Sequence, residues 1–343
     1  MKQRILYIDN LRALAIFSMI VGHIYVFTWS EHSSFWSNLI QSFNMPLFLL
    51  ISGMFIRKTV TLSYLKKRAV LLLIPFLTVG SLYMFVRNAP YDLLFTESFH
   101  QGYWFLPTLF MMTVFFMLQR KIVNFIGKRC GETHVILLII DAFITCCVSV
   151  FSLMMFYLLG AGLSDIFCFR RIVFNYPYFW LGFAIVNYKP LIQHYLWKQN
   201  GVNKIYCGLF AVFAISYYLR WYCGFDIHDY ASTGKIMLII SSIVVFLCGV
   251  SACGILLVLF KGLKFSKNIQ NACSYVGTHT LELYVLQYFF LPKSYSLSVI
   301  FMGGGVNEIA LALLQAALVV VCCIVVIKII KRNSFLSLLF FGK

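Results

Sequence analysis

Charge is scarce in this sequence. Asp, Glu, Lys and Arg make up 11% of its 343 residues, against about a quarter in an ordinary soluble domain. Acidic residues are the rarest of these, 11 against 28 Lys and Arg, which leaves a formal net charge of +17. No C-x-x-C pair occurs among the 11 cysteines, and Cys146-Cys147 and Cys322-Cys323 are adjacent pairs inside apolar runs. Structural zinc is therefore not expected, and the cysteines read as small apolar side chains. Long linkers, low-complexity stretches and internal repeats are also missing. That excludes a string of domains and argues for a single domain over 1–343.

What the chain has in excess is apolar surface: 61% of residues are apolar and 18% aromatic. One globular core could not hide so much, and runs of about 20 apolar residues recur from end to end, so lipid must be the solvent for much of the chain. The expected fold is all-α, a polytopic helical bundle with ten spans near 6–28, 36–56, 69–87, 104–119, 134–158, 172–188, 204–222, 236–260, 272–291 and 306–330. The span at 172–188 is the weakest, because Asn175, Pro177 and Asn187 interrupt it. The N-terminal run superficially resembles a signal peptide. However, Asp9 and Arg12 break its apolar region and no small-residue cleavage site follows, so it reads as a retained first helix.

A net positive charge can point to nucleic acid, but here the basic residues fall on alternate loops, which is how membrane topology is encoded. One side takes Lys2 and Arg4, then Arg57, Lys58, Lys66, Lys67 and Arg68, then Arg120, Lys121, Lys128 and Arg129. Lys189, Lys198, Lys204, Lys261, Lys264, Lys267, Lys328, Lys331, Arg332 and Lys343 complete that side. The other side keeps only Arg87, Arg170, Arg171, Arg220, Lys235 and Lys293, with acids such as Glu31, Asp92, Glu97, Asp165, Asp226, Asp229 and Glu308. The positive-inside rule then places both termini in the cytoplasm. The lipid bilayer is the expected partner, and nucleic acid is not.

Ionisable residues within a membrane are costly and mark either function or a paired structural contact. The first span holds Asp9, Arg12 and His23. At about 100° per residue, Arg12 and His23 point within about 20° of each other, and Asp9 lies about 60° away. All three share one helix face, with about 21 Å along the axis from Asp9 to His23. Asp9 and Arg12 suit an ion pair that holds helices together, and His23 suits a structural hydrogen bond. Their alignment on one face argues instead for a lined pathway, in which neutral imidazole is the group best suited to take a proton near neutral pH. Ser52-Gly53 in the second span would let helices approach closely. His279 and Glu282 stand three apart on the ninth span, as a paired contact would require. Asp141, His134 and Asp165 have no assigned role.

The run Ile8-Asp9-Asn10-Leu11-Arg12-Ala13-Leu14-Ala15, followed by His23, resembles the opening helix of the acyltransferase-3 family, polytopic and mainly bacterial O-acyltransferases that modify surface glycans. Pro46-Leu47-Phe48 with Ile51-Ser52-Gly53-Met54-Phe55 is similar to the family's second helix, and Lys66-Lys67-Arg68 before Pro75 to the approach to its third. Tyr103-Trp104-Phe105-Leu106 resembles its Trp-Phe-Leu segment, and Tyr178-Phe179-Trp180-Leu181-Gly182 matches a later Phe-x-x-Gly feature more loosely. Thr280-Leu281-Glu282-Leu283-Tyr284-Val285-Leu286-Gln287 is similar to a family motif that usually ends in histidine, where this chain has Gln287.

The resemblance implies a membrane O-acyltransferase that moves an acyl group, usually acetyl, from acyl-CoA to a hydroxyl of a cell-surface or lipid-linked glycan. His23 would be the base or acyl relay, with Arg12 and Asp9 as the polar pair below it. No extracellular hydrolase-like domain is expected. Acetyl-CoA would be a co-substrate, with no permanently bound cofactor, and the bacterial cytoplasmic membrane would be the location. Arg57, Lys58, Lys67 and Arg68 would hold the anionic nucleotide end, while the pantetheine arm enters past Arg12. Glu282, with Tyr284 nearby, would orient His23 or the acceptor hydroxyl, or else serve as a counter-ion to Arg12, Arg87 or His279. Trp104 would stack on a sugar or anchor the helix at the interface. The rival reading is a non-enzymatic glycan flippase or exporter, or a membrane glycan polymerase.

Overall fold

A computed structural model describes residues 6–30, 34–130, 133–188, 201–226, 234–292 and 306–343, and every regular element among them is a helix. The chain runs α1 Leu6–His23, continued by a π-helical turn Ile24–Thr28, then α2 Phe35–Met54 and α3 Leu62–Val86. The short α4 Leu93–Thr96 and a 3-10 turn His100–Gly102 lead to α5 Phe105–Cys130, α6 His134–Ile166 and α7 Phe169–Asn187. Then follow α8 Gly201–Trp221, α9 Lys235–Gly262, α10 Lys267–Thr278, α11 Thr280–Phe290, α12 Val306–Ile330 and α13 Ser334–Phe341.

Among the described residues, six stretches are long and apolar enough to cross a bilayer: Leu6–Thr28, Leu62–Val86, Phe105–Arg129, His134–Ile166, Ile236–Gly262 and Asn307–Ile330. The protein is thus an all-helical membrane protein. Local chemistry sets where several helices start. Thr61 and Thr133 cap α3 and α6 by accepting from the backbone N–H of Tyr64 and Ile136, and Asn333 caps α13 from Phe335 and Leu336, each satisfying an orphan donor. α6 bends at Gly160, whose φ of 72° a residue without Cβ adopts at little cost.

The chain divides into two compact units. The first comprises Met1–Phe48 and Leu196–Ile324. There α1 is the central element, packed against α9, α10 and α11, while α8 pairs with α9. Leu11, Ala15, Ile16, Ile20 and Ile24 of α1 and its extension are fully buried. The second comprises Leu49–Tyr195 and Val325–Lys343. It contains α3 to α7, with α6 against α7 and α13 folded back on α3. Here Gly53 and Gly182 let α2 and α7 meet backbone to backbone: a Cβ on Gly53 would overlap the Phe179 carbonyl, and one on Gly182 the Leu50 carbonyl.

Three expectations shift. The fourth span does not stop at 119: α5 continues to Cys130, so Arg120 is a buried helical residue, 4% exposed, and not a loop cation. The ninth span is two helices, because the chain breaks at His279, where φ is −109°. The polar interruptions of α7 satisfy themselves, since the Asn175 and Asn187 amides donate to the carbonyls of Arg171 and Phe183 one turn back. Of the residues used for topology, Lys2, Arg4, Glu31, Lys189, Lys198, Asp229 and Lys293 lie outside the described residues, as do the side chains of Lys204 and Lys235.

Candidate functional site

The polar face of α1 is built into the first unit at two levels. Near its start, Asp9 is 5% exposed and pairs with Arg12 across 3.6 Å. Ser274 of α10 donates to the second Asp9 oxygen at 3.4 Å. One turn is shared almost to contact: a Cβ on Gly277 would overlap the Asp9 carbonyl. Beside it, Asn10 and Gln270 exchange two amide hydrogen bonds of 3.0 and 2.8 Å. The pair expected of Asp9 and Arg12 therefore exists, and it sits where α10 docks on α1.

His23 closes α1 at the point where the helix widens into its π turn, with Trp29 N–H donating to the Ile24 carbonyl at 3.0 Å. Single π turns within α-helices frequently occur at functional sites. Both ring nitrogens of His23 face α11: Nδ1 lies 3.1 Å from Gln287 Oε1, and Nε2 lies 3.4 Å from the Tyr288 hydroxyl. The rings of His23 and Tyr288 are 5.1 Å apart, and Phe27 meets His23 edge-on at 5.5 Å. Gln287 is fully buried. Gln287, the residue that closes the run Thr280–Gln287, is thus the direct partner of His23, and Tyr288 beside it is a residue that the sequence reading missed.

Glu282 is also fully buried, in the first turn of α11, where a carboxylate suits the helix N-terminus. It points about 140° around the helix from Gln287. Tyr284 adjoins the His23 cluster more closely, with its ring 6.2 Å from Tyr288 and its carbonyl bonded to Gln287. His279 ends α10 and stacks on Tyr275 at 4.3 Å, so His279 and Glu282 are not neighbours on one continuous helix.

The other predicted residues belong to the second unit. Arg57, Lys58 and Lys67 are exposed and Arg68 is half-buried. Arg57 and Arg68 converge on Tyr64, at 5.2 and 5.4 Å from its ring, and Arg68 Nε donates to the Tyr64 hydroxyl at 2.9 Å. Tyr64 was not singled out from sequence. Trp104 is 9% exposed and lies under the Arg171 guanidinium at 5.1 Å, with Phe99 3.9 Å from the same cation. The ring face proposed for a sugar therefore carries an arginine.

Two further polar groups of this unit had no role in the sequence reading. Asp141, fully buried, accepts from Arg120 at 2.6 Å, Gln119 at 2.7 Å and Tyr188 at 3.0 Å, while Tyr176 donates to Gln119. This knot ties α5, α6 and α7, and every carboxylate oxygen has a partner, as a buried charge requires. His100 is 2% exposed, bonded through Nδ1 to the Leu94 carbonyl at 2.8 Å, with the Cys168 sulfur 3.8 Å from Nε2. Burial holds its pKa below the usual histidine value. The Leu94 bond opposes this shift, and the Arg171 charge adds to it. Burial likewise pushes the Cys168 thiol up to about 12, so it stays protonated. Among the described residues no cluster of His, Cys, Asp and Glu is arranged to hold a metal ion.

A family model described as an acyltransferase domain matches residues 5–328, nearly the whole chain. No curated protein and no solved structure matches the chain.

Proposed function

We propose that this chain, which belongs to the acyltransferase-3 family, moves an acyl group, usually acetyl, from acyl-CoA to a hydroxyl of a cell-surface or lipid-linked glycan. The observation that carries the reading is the setting of His23, a half-buried imidazole with a polar partner at each nitrogen, at the α-to-π junction of the central helix of its unit. As the acceptor hydroxyl attacks the thioester carbonyl, His23 takes its proton. The C–S bond then breaks and the departing thiolate recovers that proton, leaving an ester and free thiol. Alternatively His23 attacks the thioester first, the C–S bond breaks and the thiolate leaves. The hydroxyl then takes the acyl group as the acyl–nitrogen bond breaks, its proton ending on the thiolate.

Arg57, Lys58, Lys67 and Arg68 supply the positive field for the nucleotide phosphates, and the convergence of Arg57 and Arg68 on Tyr64 supports that role. Asp9 and Arg12 form the polar pair at the start of the same helix. Ten crossings, with both termini on the cytoplasmic side of a bacterial inner membrane, complete the proposal. A cysteine placed at Lys58 would then react with an impermeant reagent only when the cytoplasmic face is open; labelling in intact cells would reverse the orientation.

The test is glycan O-acylation measured by mass spectrometry in cells lacking the gene, complemented with wild type or His23→Ala at matched membrane levels. Loss of an acyl mass that only wild type restores is the expected result. An unchanged acyl pattern with altered amount or length of surface glycan would refute the transferase reading in favour of a carrier or polymerase.

A further inference from the structure

A glutamine amide has one accepting end and one donating end, and its neighbours decide which faces where. The Gln287 nitrogen lies 3.1 Å from the Tyr284 carbonyl oxygen and 3.8 Å from the Met19 sulfur. Both are acceptors and neither can donate, so the nitrogen belongs on that side. The oxygen is then the atom 3.1 Å from His23 Nδ1. An amide oxygen only accepts, so Nδ1 must carry hydrogen. A neutral imidazole has one N–H, which leaves the lone pair on Nε2. The Tyr288 hydroxyl, 3.4 Å from Nε2, is placed to donate to that lone pair.

We infer that Gln287 is a positioning residue that fixes His23 in the Nδ1–H tautomer, making Nε2 the nitrogen that accepts the proton or the acyl group. The assignment rests on the proposed function for what the ring does, and on the α1–α11 contact alone for how the ring is held. An imidazole at position 287 could present either a donor or an acceptor to His23 and would not dictate its tautomer; the amide presents only oxygen. Tyr288 guards the reactive nitrogen, so a substrate group reaching Nε2 displaces the Tyr288 hydroxyl from it.

The experiment is nitrogen NMR of the full chain labelled with [15N]histidine in lipid nanodiscs, with the His23 signals identified by their loss in His23→Asn. Kinetics with acetyl-CoA are measured on the same preparations. Wild type is expected to show a protonated Nδ1 and an unprotonated Nε2. Gln287→Met keeps the length and removes the acceptor, and should shift His23 to a mixture of tautomers. The ratio of Nδ1–H to Nε2–H tautomer should fall roughly fivefold, the factor that one neutral hydrogen bond controls. kcat should fall with the Nδ1–H population, by no more than that factor, with KM for acetyl-CoA unchanged. Gln287→Glu keeps an oxygen toward the ring and should retain the Nδ1–H signature. A wild-type ring protonated on Nε2, a ring spectrum that Gln287→Met leaves unchanged, or loss of the Nδ1–H signature in Gln287→Glu would each overturn the assignment. If wild type transfers no acyl group, the proposed function fails, and the ring spectrum still decides the tautomer.

Discussion

Gly53 and Gly182 face each other's helix: each leaves room for a backbone carbonyl of the other's segment, Phe179 for Gly53 and Leu50 for Gly182. No side chain fits at either place without moving main chain. Gly53→Ala and Gly182→Ala should each cost about 1–3 kcal/mol, read as a lower melting temperature of the detergent-solubilised protein. Gly208→Ala, on α8 with open space around its Cβ position, is the matched control. It should be neutral or slightly stabilising, because alanine is the better helix former by about 1 kcal/mol.

Arg57 and Arg68 gather on Tyr64 without sharing a carboxylate in the contacts described, which leaves their charge available to phosphate. Arg57→Gln and Arg68→Gln should each raise KM for acetyl-CoA roughly fivefold, the factor that one such charge contact commands near water, with kcat little changed. The difference from wild type should shrink as salt rises. An acyl-pantetheine donor, which lacks the nucleotide, should not distinguish the variants. Equal effects on both donors would remove these arginines from the nucleotide site.

His100 binds its proton less tightly folded than unfolded, because burial disfavours the imidazolium. Between its lowered folded value and about pH 6.5 the unfolded chain therefore holds more protons, so stability is lost as pH falls through that window and is constant on either side of it. The melting temperature should drop on acidification more steeply in wild type than in His100→Gln. Parallel curves would mean that His100 contributes nothing to acid sensitivity.

Much of the candidate site was legible because it lies on one helix. The spacing of Asp9, Arg12 and His23 needs only the helical repeat to put them on one face, and the structure keeps them there. The partners of His23 were not legible as partners, since Gln287 lies 264 residues away and the register of one helix against another leaves no local pattern. Gln287 could be seen in the sequence only as a departure from a motif. The break at His279 was hidden for a different reason: 272–291 reads as one apolar run, and hydropathy does not register a change of direction. Arg120 misled because a cation at the end of an apolar run looks like a loop residue until its counter-ion is known. Asp141 was visible throughout, and only packing connects the two. Tyr64 carried no signal beyond its place between two arginines.

The Arg120–Asp141 bond also bears on how the chain is made. α5 and α6 are consecutive, and each brings a charge that a lone helix would have to carry into lipid at a cost of about 3 kcal/mol. Joined at 2.6 Å, the two charges form a dipole that no longer needs water. The pair thus favours release of α5 and α6 from the insertion machinery as a hairpin, the earlier helix waiting for the later one. Asp141→Leu alone should leave α5 poorly inserted and expose the protein to quality-control proteolysis in pulse-chase labelling. Adding Arg120→Met should restore its lifetime, because a membrane tolerates the absence of both charges better than the presence of one.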